Sequence, residues 1–217
     1  YGSVDELGWA SRDHDEYLDD LRSILKESLR VAVPGGALWI VVDSFRRNKR
    51  TIPLPWQLVE LAMSVGWTFH DTVVWDKGRS LPWSHAGHFR SVCEHIFLLG
   101  KGSLRQFDLD AVRELDYLSS YWVRYPERYN PRGKAPGDLW HFPIPVQGSW
   151  SQQSSRHCCP FPPALVAKML GLTTRRGDIV LDPFGGTGTV AAVADTMKRR
   201  GISVDINEAY NRDFVEW

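Results

Sequence analysis

The chain has 217 residues, sets 26 Lys and Arg against 26 Asp and Glu, and carries ten Trp and three Cys. At roughly 150 residues per domain the length suits one large domain or a domain with an insertion. Its 24% charged and 43% hydrophobic residues exclude wholesale disorder, and no run approaches the ~20 apolar residues of a membrane helix.

Residues 1–20 hold seven acids and no apolar run, so they do not read as a secretory signal. Three cysteines cannot form a fully paired set, and Cys158 and Cys159 are adjacent, so a reducing, cytoplasmic setting is expected. Net zero charge argues against a generic polyanion binder, but it hides an asymmetry. Arg46, Arg47, Lys49 and Arg50 form a run without an acid, and Arg124, Arg128, Arg132 and Lys134 face only Glu127. Such runs are usually solvated surface; a basic face is the competing reading.

In chain order, Leu18, Leu21, Ile24, Leu25, Leu29 and Val31 recur near i, i+3, i+4, which predicts an amphipathic helix over 15–31, stopped at Pro34-Gly35-Gly36. The continuous apolar run 38–42 predicts a strand buried on both faces, ending at Asp43-Ser44. A second helix is expected over 55–65, closed by Gly66, then strands at 68–75 and 94–99. The stretch 102–156 is rich in Pro, Gly, Tyr, Trp and Arg without sustained periodicity and reads as a loop-rich insertion. A helix from Pro163 to about Leu170 follows, then a short buried strand at 179–181, a helix from Thr189 to about Lys198 and a strand at 202–205. Strands alternating with helices imply an α/β, doubly wound, mostly parallel sheet.

The segment Asp182-Pro183-Phe184-Gly185-Gly186-Thr187-Gly188-Thr189 lies between a strand and a helix, where doubly wound folds bind ligands. Glycines there let the backbone come close to a ligand. The spacing departs from the dinucleotide pattern. Asp205, 23 residues after Asp182 and at the end of the following strand, is placed to accept hydrogen bonds from ribose hydroxyls.

These residues resemble the cofactor motif of S-adenosylmethionine-dependent DNA amino-methyltransferases, Phe-x-Gly-x-Gly after an acid, met by Phe184, Gly186, Gly188 and Asp182. The order of segments resembles the beta class, with the catalytic motif first, a target-recognition segment in the middle and the cofactor motif last. His157-Cys158-Cys159-Pro160-Phe161-Pro162 is similar to the family's upstream cofactor segment, with Cys158 where Pro is common. Pro34-Gly35-Gly36, Pro53-Leu54-Pro55-Trp56, Gly66-Trp67, Val74-Trp75-Asp76-Lys77 and 107–113 also resemble the family in order. The resemblance implies a Rossmann-like S-adenosylmethionine-dependent methyltransferase fold in three parts. Residues 1–101 are the catalytic, target-base half, 102–156 the variable recognition segment, and 157–217 the cofactor half. S-adenosylmethionine is then the implied cofactor, held by 182–189, Asp205, His157, Pro160 and Phe161.

The family's catalytic motif is Asp-, Ser- or Asn-Pro-Pro-Tyr. The chain opens Tyr1-Gly-Ser-Val-Asp, which resembles sequence at and just past that tyrosine. The resemblance therefore makes Tyr1 the last residue of the motif, with its other residues and preceding strand supplied by a further N-terminal segment or another chain. In the family the motif's polar side chain and a backbone carbonyl orient the base amine toward the methyl group, and the aromatic stacks on the flipped base.

Further candidates are weighed on chemistry alone. Arg79, Trp83, His88 and Arg90 interleave charge and aromaticity over 78–91, as do Trp122, Arg124 and Arg128 further on; this suits phosphates and unstacked bases, with an unstructured loop as the alternative. His88, Cys93 and His95 fit no standard zinc spacing, so no metal is expected. Asp43 and Ser44 end a strand on the active edge, where a simple cap or turn acid is an equal reading. The expected activity is methyl transfer to an exocyclic amine of a flipped base in double-stranded DNA, cytosine N4 slightly ahead of adenine N6. A non-catalytic or split binding subunit, and a methyltransferase acting on RNA or a small molecule, are the rivals. No membrane partner is expected; a homodimer and a cognate restriction endonuclease are compatible partners.

Overall fold

The computed structural model describes residues 13–47, 49–78, 87–115, 119–144, 161–207 and 210. Tyr1, Arg79, Trp83, His157 and Pro160, and with them Cys158 and Cys159, lie outside the described residues.

Helix α1 (His14–Val31) is capped by Asp13, whose carboxylate accepts the His14 N–H at 2.8 Å. It buries Leu21 and Leu25, as its spacing requires. Gly35, at φ +72°, makes the turn into strand β1 (Ala37–Val42). A short hairpin follows, β2 (Phe45–Arg47) with β3 (Arg50–Ile52), then helix α2 (Leu54–Ser64), strands β4 (Thr68–Asp76) and β5 (Cys93–Gly100), and the short helix α3 (Ser119–Arg124). Trp67 is buried and donates its indole N–H to Leu25 O, tying the start of β4 to α1.

The main sheet has the order β1-β5-β4-β6, where β6 is Leu139–His141. Strands β1, β4 and β6 run one way and β5 runs against them. Helices α1 and α2 cover one face, packing Leu21, Leu25, Leu58 and Leu61 onto Phe97 and Leu99. Helix α4 (Pro163–Thr173) covers the other with Leu165, Val166 and Met169 against Val73, Trp75, Ile96 and Trp140. The result is a three-layer α/β domain with one apolar core on each side of the sheet.

Three expectations need correction. The segment 102–156 is not wholly an insertion, because β6 pairs in parallel with β4 and its Trp140 is buried in the second core. Strand β1 does meet a core on each face, but only Val42 is fully buried, because β1 is an edge strand bonded to β5 alone. Strand β7 (Ile179–Asp182), read as buried, is 60% exposed at Ile179 and 40% at Leu181. Its other face packs inward through Val180, which leaves the alternate side chains outside.

Strand β7 pairs in parallel with β8 (Arg200–Ser203), and helix α5 (Thr189–Thr196) lies between them in sequence. A Cβ on Gly201 would stand 2.5 Å from Ala191 Cα, so glycine is what lets α5 lie flat on this pair. Ala194 of α5 joins the core under α4, which anchors the β7–β8 unit to the main sheet. Among the described residues the two sheets share no strand pairing, and β1 and β7 each keep one edge without a strand. No helix among the described residues is long and apolar enough to cross a membrane.

Candidate active site

The turn from β7 to α5 is built by its glycines and closed by two carboxylates. Gly186 and Gly188 take φ of +51° and +80°, the left-handed region that other residues enter at a cost. The Gly188 N–H reaches Gly185 O at 2.8 Å, and the Gly185 N–H reaches Val204 O at 2.8 Å. A Cβ on Gly185 would collide with the Ser203 side chain. Asp182 accepts the Phe184 N–H at 3.0 Å. Asp205 sits two residues beyond β8 rather than inside a strand. It accepts the Gly186 N–H at 2.8 Å on one oxygen and the Asn207 N–H at 2.8 Å on the other. A carboxylate can accept at about four positions, so holding the turn and accepting from a ligand are compatible tasks. Burial pushes the Asp182 carboxyl above the ordinary carboxylate range; the Phe184 N–H opposes this and the charge of Asp205 adds to it. Beside these acids Phe184 is half exposed and Ile206 largely so, an apolar surface next to an anionic one.

A second polar centre lies where β1 and β4 end and β5 begins. Lys77 lies 3.8 Å from Asp43 and 3.4 Å from Glu94, all three largely shielded from solvent. Ser91 donates its hydroxyl to Asp43. Glu94 is buried, which raises its carboxyl above the ordinary range while Lys77 pulls it back. Asp76 accepts from His141 Nδ1 at 2.9 Å and from the Gly78 N–H at 2.8 Å, and these bonds hold its carboxyl below the ordinary range. Sequence reasoning finds Asp43 at this edge and misses Glu94 and Ser91. The signal for Glu94 is an acid near the start of a strand that runs on as Ile-Phe-Leu-Leu, brought opposite Trp75 by antiparallel pairing.

The described basic residues sit in different settings. Arg46, Lys49 and Arg50 are exposed on the β2–β3 hairpin, with Arg47 half-buried, and Lys49 turns its tip at φ +62°. Arg46 reaches across to the carbonyl of Phe89 at 3.3 Å, joining the hairpin to the segment that carries His88 and Arg90. Further on, Arg132 pairs with Asp110 and Lys134 approaches Glu114, so part of the second basic run is neutralised. Trp122 of α3 packs edge-on against Tyr129, and Arg128 lies over the Tyr125 ring. Phe161 packs edge-on against Trp75, inside the second core. Among the described residues no three His, Cys, Asp or Glu side chains group as metal donors. His95 is taken up by packing on Trp56 and Phe97.

A sheet with helices on both faces and an acid-flanked glycine turn after a parallel strand defines a nucleotide-type ligand fold. A family model described as DNA methylase matches residues 6–216, and the chain belongs to that family. Among curated relatives it is 25% identical to the Type II methyltransferase M.Cfr9I of Citrobacter freundii, over 97% of this chain and 73% of that one. It is 24% identical to the Type II methyltransferase M.SmaI of Serratia marcescens, over 97% and 76%. Among solved structures, the PvuII cytosine-N4-specific DNA methyltransferase superposes with a TM-score of 0.71 at 18% identity, covering 93% of this chain and 70% of that chain. TTHA0409 of Thermus thermophilus, solved with S-adenosyl-L-methionine, superposes with a TM-score of 0.64 at 25% identity, covering 94% and 76%.

Proposed function

We propose that the chain transfers the methyl group of S-adenosylmethionine to an exocyclic amine of a base in double-stranded DNA, with cytosine N4 ahead of adenine N6. The observation that carries the reading is the β7–α5 turn of a DNA methylase: two carboxylates flanking glycines, with exposed Phe184 and Ile206 beside them. The residues fit the cofactor. Asp205 is an acceptor for ribose hydroxyls, the apolar pair suits an adenine ring, and two neighbouring anions, one of them desolvated, suit a cationic ligand. Bound there, S-adenosylmethionine supplies an electrophilic methyl group on a positively charged sulfur.

An exocyclic amine is a weak nucleophile because its lone pair is delocalised into the base. Acceptors that hold its hydrogens free that pair for attack. The nitrogen pair forms the new N–C bond as the C–S pair returns to sulfur, and the amine then gives one proton to water or to a carboxylate. Asp43, held by Ser91 and Lys77 at the end of β1, lies on the same edge of the sheet. Cytosine N4 is preferred because Asp43-Ser44 and 53–56 resemble that subgroup. Tyr1, His157 and Pro160 keep the roles that the resemblance implies.

Among the described residues β1 and β7 each keep one edge without a strand, an open position at which a further strand could pair. The whole reading is tested by transfer of labelled methyl to duplex DNA with the full-length protein, the product base identified by mass spectrometry. Gly186→Arg should abolish cofactor binding in calorimetry. Label in RNA or a small molecule but none in DNA would overturn the reading.

A further inference from the structure

Phe89 is 96% exposed, more than any other large hydrophobic side chain among the described residues. A single exposed hydrophobic side chain is ordinary on a protein surface; what sets Phe89 apart is its place, between a basic hairpin and the strand-end polar centre. The backbone under it is held. Its carbonyl accepts from the Arg46 guanidinium on the β2–β3 hairpin. Two residues on, Ser91 donates to Asp43 at the carboxyl end of β1, and the Val92 carbonyl accepts the Lys77 N–H at 2.9 Å. At about 3.3 Å per residue, Phe89 therefore starts no more than about 7 Å along the chain from that polar centre. Basic residues flank it, while the acids lie in that centre: Arg90 follows it in sequence, and Arg46, which bonds its carbonyl, sits on the hairpin that also carries exposed Arg50.

We propose that Phe89 is the wedge that enters the DNA stack at the methylation site and fills the gap left by the departing base. The proposal rests on the DNA reading above. A polyanionic partner matches the surrounding charge. An apolar ring with cations on either side is what unstacking a base step requires, because the cations hold the phosphates while the ring replaces the lost stacking. A protein partner would need acidic groups to match Arg46, Arg50 and Arg90 together, whereas a duplex brings phosphates and an apolar stack at once.

The test uses the full-length protein and duplexes containing the sequence it methylates, with the target base either correctly paired or opposite an abasic site. The base opposite an abasic site is already partly released, so it needs no wedge. Phe89→Ala should lower methyl transfer on the paired duplex by about tenfold or more, the loss of one base–aromatic stack. On the abasic duplex it should fall within about threefold of the parent, where the unstacking is already done. Phe89→Trp should keep most activity on both, and cofactor affinity measured by calorimetry should be unchanged in both variants. Equal loss on the two duplexes, or loss on neither, would overturn the wedge while leaving the DNA reading intact. A parent protein inactive on every duplex would overturn the DNA reading and the wedge with it.

Discussion

Asp205 and Asp182 show how much one carboxylate can carry. The buried Gly186 N–H has Asp205 as its acceptor, so Asp205→Ala removes the bond that shapes the turn and, on the proposed reading, a contact to the cofactor as well. A hydrogen bond to a charged group is worth about 1.5–3 kcal/mol, so cofactor affinity in calorimetry should fall roughly 10- to 100-fold. Asp182 makes the opposite point. Its carboxyl is raised chiefly by burial. Ionising it in the folded state is therefore unfavourable, a cost absent below the unfolded value of about 4 and growing as pH climbs through the folded one. Asp182→Asn keeps an acceptor for the Phe184 N–H and removes that cost. The variant should melt above its parent near neutral pH and level with it in acid, as thermal unfolding at both ends would show. Its cofactor affinity should fall, because stability and binding make opposite demands on this group.

Among the elements, β6 departs furthest from what composition and periodicity foretell. It is three residues long, too short to display alternation, and Trp140 reads as one more aromatic in a stretch full of them. Tertiary contacts make it a strand: the Val74 N–H bonds to Asp138 O at 2.8 Å, and Lys168 of α4 lies 4.7 Å above the Trp140 ring while pairing with Glu114. Trp140→Ala should cost about 3–5 kcal/mol in chemical denaturation, as buried aromatics do. Leu139→Ala, beside it but exposed, should stay within about 0.5 kcal/mol. Helix α1, by contrast, can be read directly, because Leu21 and Leu25 recur at the spacing that buries them. Strand β7 is recognisable but its burial is not, since an apolar run of three does not reveal which neighbours its outer face will have. The glycine turn is readable because only glycine enters its conformations easily, whereas the Asp43–Lys77–Glu94–Ser91 centre depends on strand register that no local pattern encodes.

In the molecule as a whole, zero net charge conceals separate basic projections, and structure divides them. Those near 132–134 are paired with acids, while the β2–β3 hairpin keeps Lys49 and Arg50 in solvent. If the hairpin grips phosphates, the Lys49→Ala, Arg50→Ala pair should weaken binding to all duplexes alike. It should also reduce the slope of log affinity against log salt by about two, one released counterion per cation. Binding isotherms at several salt concentrations would show it.

The parallel register of β4 with β6 also bears on how the chain reaches its native state. Asp76 and His141 are partners 65 positions apart. Closing so long a loop for three residues of pairing brings little return until α4 is seated, so β6 should dock late in refolding. Until then the nine-residue β4 offers an open edge to any other chain still folding. Recovery from denaturant should therefore decline as protein concentration rises, with the losses set by encounters between half-folded chains.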